Sequence, residues 1–194
     1  MRAYEEQAAD LARGYEGLVF EEVHQLVLGL IPVKPGRVLD VGAGSGRDAA
    51  ALSRLGHRVV AVEPVAEFRA LGGLLHAAEG IVWVDDVLPT LARVEGRFDL
   101  VWLSAVWMHL EQAERAEAMR RLAELVAPGG AVMVTLRHGP VPTGRHMFDV
   151  GDKETIDLAR SCGLRVEIHE QDRDFMGRAE VQWSSLGFRK TLKP

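Results

Sequence analysis

Apolar residues change period several times along the 194-residue chain, and each change marks an element. Over about residues 4–31, Leu11, Leu18, Val19, Val23, Leu26, Val27 and Leu30 recur at helical spacing, with Gly14 and Gly17 marking a break. Pro32 and the Pro35-Gly36 pair end that segment. Short β-branched runs follow near 37–41, 58–62, 81–84, 98–103 and 131–136, separated by helical stretches near 46–55, 65–77 and 111–126. The stretch 111–126 is the most regular: Ala116, Met119, Leu122, Ala123 and Val126 share one face, and Glu111, Glu114, Arg115, Arg120 and Arg121 the other. Beyond a loop over 137–151, a helix is expected near 152–162, with Asp152 as its N-cap and Gly163 at its end. Strand-like runs at 164–169 and 180–189 complete the pattern. Alternating strands and helices predict an α/β fold, a parallel sheet with helices on both faces. No repeat, low-complexity tract or linker divides the chain, so one domain over 1–194 is expected.

Chemistry enters where the first strand runs into glycine, at Arg37-Val38-Leu39-Asp40-Val41-Gly42-Ala43-Gly44-Ser45-Gly46-Arg47-Asp48. A buried strand, a tight turn and a helix start in that order make a nucleotide-binding corner: glycine admits positive φ and close approach, and the free amides of the helix favour an anion. Glu63 ends the second strand, where a carboxylate can accept hydrogen bonds from both hydroxyls of a ribose. The dinucleotide fingerprint G-x-G-x-x-G requires a glycine where Arg47 stands, so the match to NAD binding is imperfect.

The segment Val38–Gly46 resembles instead the first motif of the class I S-adenosylmethionine-dependent methyltransferases. Glu63 occupies the place of that family's ribose-binding acid, and Asp85-Asp86-Val87-Leu88-Pro89 is similar to its adenine-contacting loop. Phe98-Asp99-Leu100-Val101-Trp102, with Ser104-Ala105-Val106-Trp107-Met108-His109-Leu110 after it, resembles the fourth strand and its loop. Leu125-Val126-Ala127-Pro128-Gly129-Gly130 before Ala131-Val132-Met133-Val134-Thr135 resembles the helix, turn and fifth strand. The five segments stand in the family's order and spacing across about 37–136. The resemblance implies a doubly wound three-layer sandwich with a mostly parallel seven-stranded sheet of order 3-2-1-4-5-7-6 and the last strand antiparallel. It divides the domain into a helical lid (1–36), a cofactor-binding core (37–136) and a substrate-side loop with the C-terminal strands (137–194). It implies S-adenosylmethionine as cofactor and S-adenosylhomocysteine as product, with Tyr4, Asp40, Gly42, Ala43, Gly44, Gly46, Glu63, Pro64, Asp85, Asp86, Val87 and Ser104 as the cofactor-binding set.

Several of these residues have a second reading. Asp40 can cap the glycine turn, and Glu63 before Pro64 can simply start a helix; strand-end position and spacing favour the cofactor for both. Asp85 and Asp86 suit a turn as well as adenine, and the sequence does not choose which would reach the base. His109 and His138 leave the fourth and fifth strands on the side where an acceptor should approach, which makes them candidate general bases, His138 the better placed; a core-edge histidine and a surface histidine are the alternatives. Trp107 packs the sheet edge or walls the acceptor site. Arg137 and Arg145 clamp an acidic substrate or stand as solvated loop charges. Tyr4 lies in the segment that folds over the cofactor in the family, within reach of its carboxylate, and Tyr15 belongs to the packing.

Composition narrows the partners. A net charge of -5 with interspersed signs disfavours bulk nucleic acid, and Ser104-Ala105-Val106-Trp107 stands where DNA amino-methyltransferases carry N/D-P-P-Y/F. The longest apolar runs are too short to span a membrane, and Met1-Arg2-Ala3-Tyr4-Glu5-Glu6 lacks the apolar core of a signal peptide. Cys162 is the single cysteine, which suits a reducing cytoplasm, and scattered histidines give no metal-ligand spacing. The expectation is a cytoplasmic methyltransferase, monomer or homodimer, acting on a small molecule. The rival readings are an NAD(P)-binding oxidoreductase and a non-catalytic S-adenosylmethionine-binding regulator or partner subunit.

Overall fold

A computed structural model describes residues 2–192. Its helices are α1 (Arg2–Glu16), α2 (Phe20–Val23), α3 (Arg47–Arg54), α4 (Ala66–Leu75), α5 (Gln112–Leu125) and α6 (Asp152–Ser161). Its strands are β1 (Arg37–Val41), β2 (Arg58–Val62), β3 (Val82–Val84), β4 (Phe98–Leu103), β5 (Val126–His138), β6 (Leu164–Arg173) and β7 (Gln182–Lys190). The sheet runs β3-β2-β1-β4-β5-β7-β6. β1 to β5 are parallel and β7 is antiparallel to both β5 and β6, as expected.

The two-residue period of the strands sorts their side chains between two cores. Leu39, Val41, Val101, Leu103, Val132, Val134 and Leu136 face α5 and α6, together with Trp107. Val38, Leu100, Trp102, Ala131 and Met133 face the opposite side, against Phe20, Val27, Leu30 and the α3 residues Ala49 and Leu52. A third cluster joins Ala8 and Ala12 of α1 to Val65 and Phe68 at the start of α4, which lays α1 against that end of the sheet. Glu16 at the end of α1 accepts hydrogen bonds from Ser45 Oγ at 2.6 Å and His76 Nε2 at 3.2 Å, tying the helix to the glycine turn.

Several expectations are corrected. The leading helical segment runs through Gly14 and breaks at Gly17, one of the two glycines expected to mark the break, and only one turn of α2 and a 3-10 turn (Leu28–Leu30) follow. On α5 the buried face is Arg115, Ala118, Met119, Leu122, Ala123 and Leu125, while Ala116 is exposed. Arg115 tolerates burial because its Nε donates to Glu154 Oε1 at 2.7 Å and Nη1 to the Leu110 carbonyl at 2.7 Å. β5 begins at Val126, before Pro128: Phe98 pairs with Val126 but Leu100 with Ala131, so the intervening residues bulge, with Gly129 at φ +76°. Gly151, not Asp152, is the N-cap of α6; the Asp152 carboxylate instead accepts from His169 Nε2 at 2.8 Å. Among the described residues no helix is long and apolar enough to cross a membrane.

Candidate functional site

Where β1 and β4 diverge to connect with opposite sides of the sheet, their carboxyl ends open into a crevice. The cavity there measures about 610 Å³ and is roofed by Tyr4, Leu11 and Tyr15 of α1. One half is built by the ends of β1 and β2. Gly42 takes φ +71°, and its N–H and that of Ala43 donate to the Val62 carbonyl at 2.7 and 3.0 Å, which folds the turn back on β2. A Cβ on Gly42 would drive into Val106, so the close approach of the two loops requires glycine.

Glu63 lines this half and is 6 % exposed. Its Oε2 accepts the Gly44 N–H at 2.8 Å and its Oε1 the Val65 N–H at 2.9 Å. A carboxylate has about four acceptor sites, so one on each oxygen remains for a ligand. Burial pushes the Glu63 carboxyl up, against the two amide bonds and Arg69.

Asp40 is deeper, 1 % exposed, and its Oδ2 has no hydrogen-bond partner among the described residues. Burial and then the Asp48 carboxylate push its carboxyl up. Asp48 behaves oppositely: burial opposes its charge, but His24 and Arg47 outweigh that and hold it well below the usual carboxylate range. His24 Nε2 at 2.8 Å, Trp102 Nε1 at 3.1 Å and Arg47 Nε at 2.7 Å all donate to Asp48. This network props the glycine turn from below, and sequence reasoning missed it because His24 joins only through tertiary packing. Arg47 and Asp48, adjacent to the motif, were its one available signal.

The remaining expected residues divide. Ala43, Gly44, Pro64, Asp86, Val87 and Ser104 line the cavity. Gly46 does not: at φ +90° it precedes α3, and a Cβ there would meet Trp83 at 2.9 Å, so it serves helix–strand packing. Asp85 also lies outside, paired with Arg69 at 3.1 Å and Arg93 at 3.5 Å. Asp86 Oδ1 and Oδ2 accept the Val87 and Arg93 N–H groups at 2.8 and 2.6 Å, which shapes the loop and presents Val87 to the cavity. Trp107 is fully buried in the core and lines nothing.

The two histidines part company through strand alternation. Thr135 and Arg137 share the parity of Met133 and reach the cavity; His138 shares that of Leu136 and turns to the α6 face. There His138 Nε2 lies 2.8 Å from Ser184 Oγ and 3.4 Å from Asp152 Oδ1. His138, one of the two expected bases, therefore does not line this cavity. His109 is different. Its Nδ1 lies 2.8 Å from the His146 carbonyl oxygen, which can only accept, so Nδ1 carries the proton and Nε2 the free lone pair. That lone pair receives the Tyr4 hydroxyl at 3.1 Å. Burial holds the His109 imidazole below the ordinary histidine value, and Arg145 adds to the effect. Burial also pushes Tyr4 up to about 12, so its hydroxyl stays protonated and donates. The Tyr4 hydroxyl thus lines the cavity and engages His109.

The other half of the cavity is walled by Phe148, Phe175, Met176 and Trp183, with Arg137, Arg145 and Arg178 among them. No group of three or more metal-ligating side chains occurs among the described residues.

The family model for a methyltransferase domain matches residues 11–175. An uncharacterized methyltransferase of Oceanobacillus iheyensis is 23% identical over 159 residues, 81% of this chain and 70% of that protein. Among solved structures, a TehB-like SAM-dependent methyltransferase from Corynebacterium glutamicum superposes with TM-score 0.72 at 20% identity, covering 100% of both chains. The 1,6-didemethyltoxoflavin-N1-methyltransferase of Burkholderia thailandensis, solved with 1,6-didemethyltoxoflavin and S-adenosylhomocysteine bound, gives TM-score 0.67 at 21% identity over 96% of this chain and 89% of that one. Several curated relatives are longer: the chain spans 62% of a Stenotrophomonas maltophilia protein and 42% of a Caulobacter one.

Proposed function

The chain belongs to the family of S-adenosylmethionine-dependent methyltransferases, and from that premise we propose that it methylates a hydroxyl or amine of a small molecule with His109 as general base. The cavity fits the cofactor: the unpartnered Asp40 Oδ2 and the open acceptor sites of Glu63 stand where a nucleoside can donate to them. In this reading Glu63 holds the ribose, Gly42 to Gly44 give the close approach, and Val87 covers the base. When bound, S-adenosylmethionine supplies a methyl group activated by positively charged sulfur, which passes to the acceptor by in-line displacement.

The protein's own contribution is positioning and one proton transfer. The His146 carbonyl fixes the tautomer that leaves Nε2 basic and facing the cavity, and this observation carries the proposal. An acceptor replaces the Tyr4 hydroxyl on that lone pair, and His109 takes its proton as the new bond to carbon forms. The α1 roof closes over the site and limits water there. A reducing cytoplasm suits the single Cys162.

Calorimetry with S-adenosylhomocysteine, S-adenosylmethionine and NAD, followed by a screen of hydroxyl, amine and thiol compounds for S-adenosylhomocysteine release, tests the reading. Binding of NAD in preference to S-adenosylhomocysteine would overturn it. Cofactor binding with no turnover in any class of acceptor would favour a regulator.

A further inference from the structure

The acceptor half of the cavity holds a guanidinium that makes no ion pair among the described residues. Arg137, one residue before the end of β5, lines the cavity and is 7 % exposed. Its Nη1 donates to the Gly139 carbonyl at a long 3.3 Å, and its Nε has no acceptor among the described residues. The nearby carboxylate of Asp174 is already committed: it accepts from Arg178 Nε at 3.1 Å, from Arg178 Nη2 at 2.5 Å and from Trp183 Nε1 at 3.0 Å. Arg145 adds a second cation, with its guanidinium carbon 5.0 Å from the Tyr4 ring centre. A buried guanidinium without an ion-pair partner is costly: burial and then Arg178 hold Arg137 below its ordinary value, and the Asp174 carboxylate offsets this only in part. An anionic ligand removes that cost.

Two anions compete for the role, the amino-acid end of the cofactor and a group on the acceptor. The sheet order separates them. Glu63 marks the ribose at the end of β2, and the glycine turn follows on β1. Arg137 lies near the end of β5, two strands beyond β1, about 10 Å further along the sheet at 4.7–4.9 Å per strand. That is past the exit of β4, where Ser104 and His109 border the transfer point. Around Arg137 the walls are Phe148, Phe175, Met176 and Trp183, an apolar box for the body of a ligand. Asp172 and Asp174 also line this end, beside Arg145, Arg173 and Arg178, and the planar fork of one arginine matches a single carboxylate.

We propose that the methyl acceptor is an aromatic or similarly apolar carboxylic acid, whose carboxylate docks on Arg137 and so directs its hydroxyl or amine to His109. This rests on the methyltransferase reading above, and the test separates the two. Wild-type protein saturated with S-adenosylhomocysteine is titrated calorimetrically with 4-hydroxybenzoate, 4-hydroxybenzamide and 4-hydroxyphenyl phosphate, and with hexanoate against hexanamide. At least one acid should bind tenfold or more tighter than its amide and tighter than the phosphate. In Arg137→Gln that preference should fall to within twofold, in Arg137→Lys it should survive in part, and S-adenosylhomocysteine affinity should stay within twofold in both. Because Arg137 makes no ion pair among the described residues of the ligand-free protein, Arg137→Gln should melt no lower than wild type, and wild type alone should gain melting temperature from the bound acid.

Equal binding of acid and amide, binding of neither series, or preference for the phosphate would overturn the assignment. A drop in S-adenosylhomocysteine affinity in Arg137→Gln would assign the arginine to the cofactor and overturn it as well. Failure of wild type to bind S-adenosylhomocysteine would sink the methyltransferase reading instead, and the acid–amide comparison on the ligand-free protein would then judge the anion site by itself.

Discussion

Replacing Glu63 by alanine removes two things at once, and the structure allows them to be measured apart. The carboxylate accepts the Gly44 and Val65 N–H groups at 2.8 and 2.9 Å, so the variant leaves two backbone donors short of a partner. Each lost acceptor costs about 1–3 kcal/mol where no water replaces it, which thermal melting of the ligand-free protein reads. The two ribose hydroxyls lose a charged acceptor, a further 1.5–3 kcal/mol by the usual range for such bonds. That corresponds to a roughly 10- to 150-fold rise in the dissociation constant of S-adenosylhomocysteine, read by calorimetry on folded protein. The pH dependence supplies a second signature. Burial pushes the Glu63 carboxyl up, and only its ionised form accepts from both hydroxyls, so affinity should fall as pH drops through that raised value. Glu63→Gln, which cannot ionise, should lose that part of the dependence. A folded Glu63→Ala with wild-type affinity, or a Glu63→Gln with an unchanged pH profile, would refute the ribose assignment.

His109→Gln should lower the methylation rate by about 10²- to 10⁴-fold, the usual scale for loss of a general base, with S-adenosylhomocysteine affinity nearly intact. His138→Ala, on the α6 face, should stay within twofold of wild type in the same turnover assay. Because burial depresses His109 and a base must be unprotonated to act, kcat should hold as pH falls through the ordinary histidine value and decline only below it; a midpoint above about 6.5 would contradict the assignment. Gly46→Ala should cost about 1–3 kcal/mol of stability from overpacking against Trp83, visible in urea titration, whereas Gly44→Val should act on cofactor binding. Removing residues 1–13 takes away Tyr4 and Leu11 of the cavity roof and should weaken cofactor binding while the sheet stays folded by circular dichroism; full affinity would make α1 packing only.

The sequence made the β1–β2 half of the cavity legible because that half is local. Asp40, Gly42 and Gly44 belong to one strand and its turn, and Glu63 ends the very next strand, so a two-residue period, glycines and spacing locate them all. Strand positions were equally readable: β1, β2 and β4 fall at 37–41, 58–62 and 98–103. What the pattern misjudged is instructive in its scale. Ala116 and Arg115 differ by one residue on α5, yet tertiary partners, Glu154 and the Leu110 carbonyl, decide that the arginine is buried and the alanine exposed. A hydrophobicity pattern prices a side chain alone and cannot see a partner 39 residues away.

The acceptor half obeys the same geometry but hides it. Its chemistry comes from Tyr4 on α1, His109 after β4, Arg137 on β5, Arg145 in a loop, and Asp174 with Arg178 beyond β6, and no local period links them. One local rule still applies. In an extended strand neighbours point to opposite faces, so of the adjacent pair Arg137 and His138 only one could enter the cavity. The choice follows from phase: Leu136 must join the core under α5 and α6, which forces Arg137 onto the face of Met133 and sends His138 to Ser184 and Asp152. Reading the strand's phase outward from its buried residues therefore exchanges an expected base for an unpaired cation. In the proposed function the base is His109, whose tautomer is set by a loop carbonyl 37 residues away. The arginine, which makes no ion pair among the described residues, is the group that the proposed acceptor's carboxylate would complete.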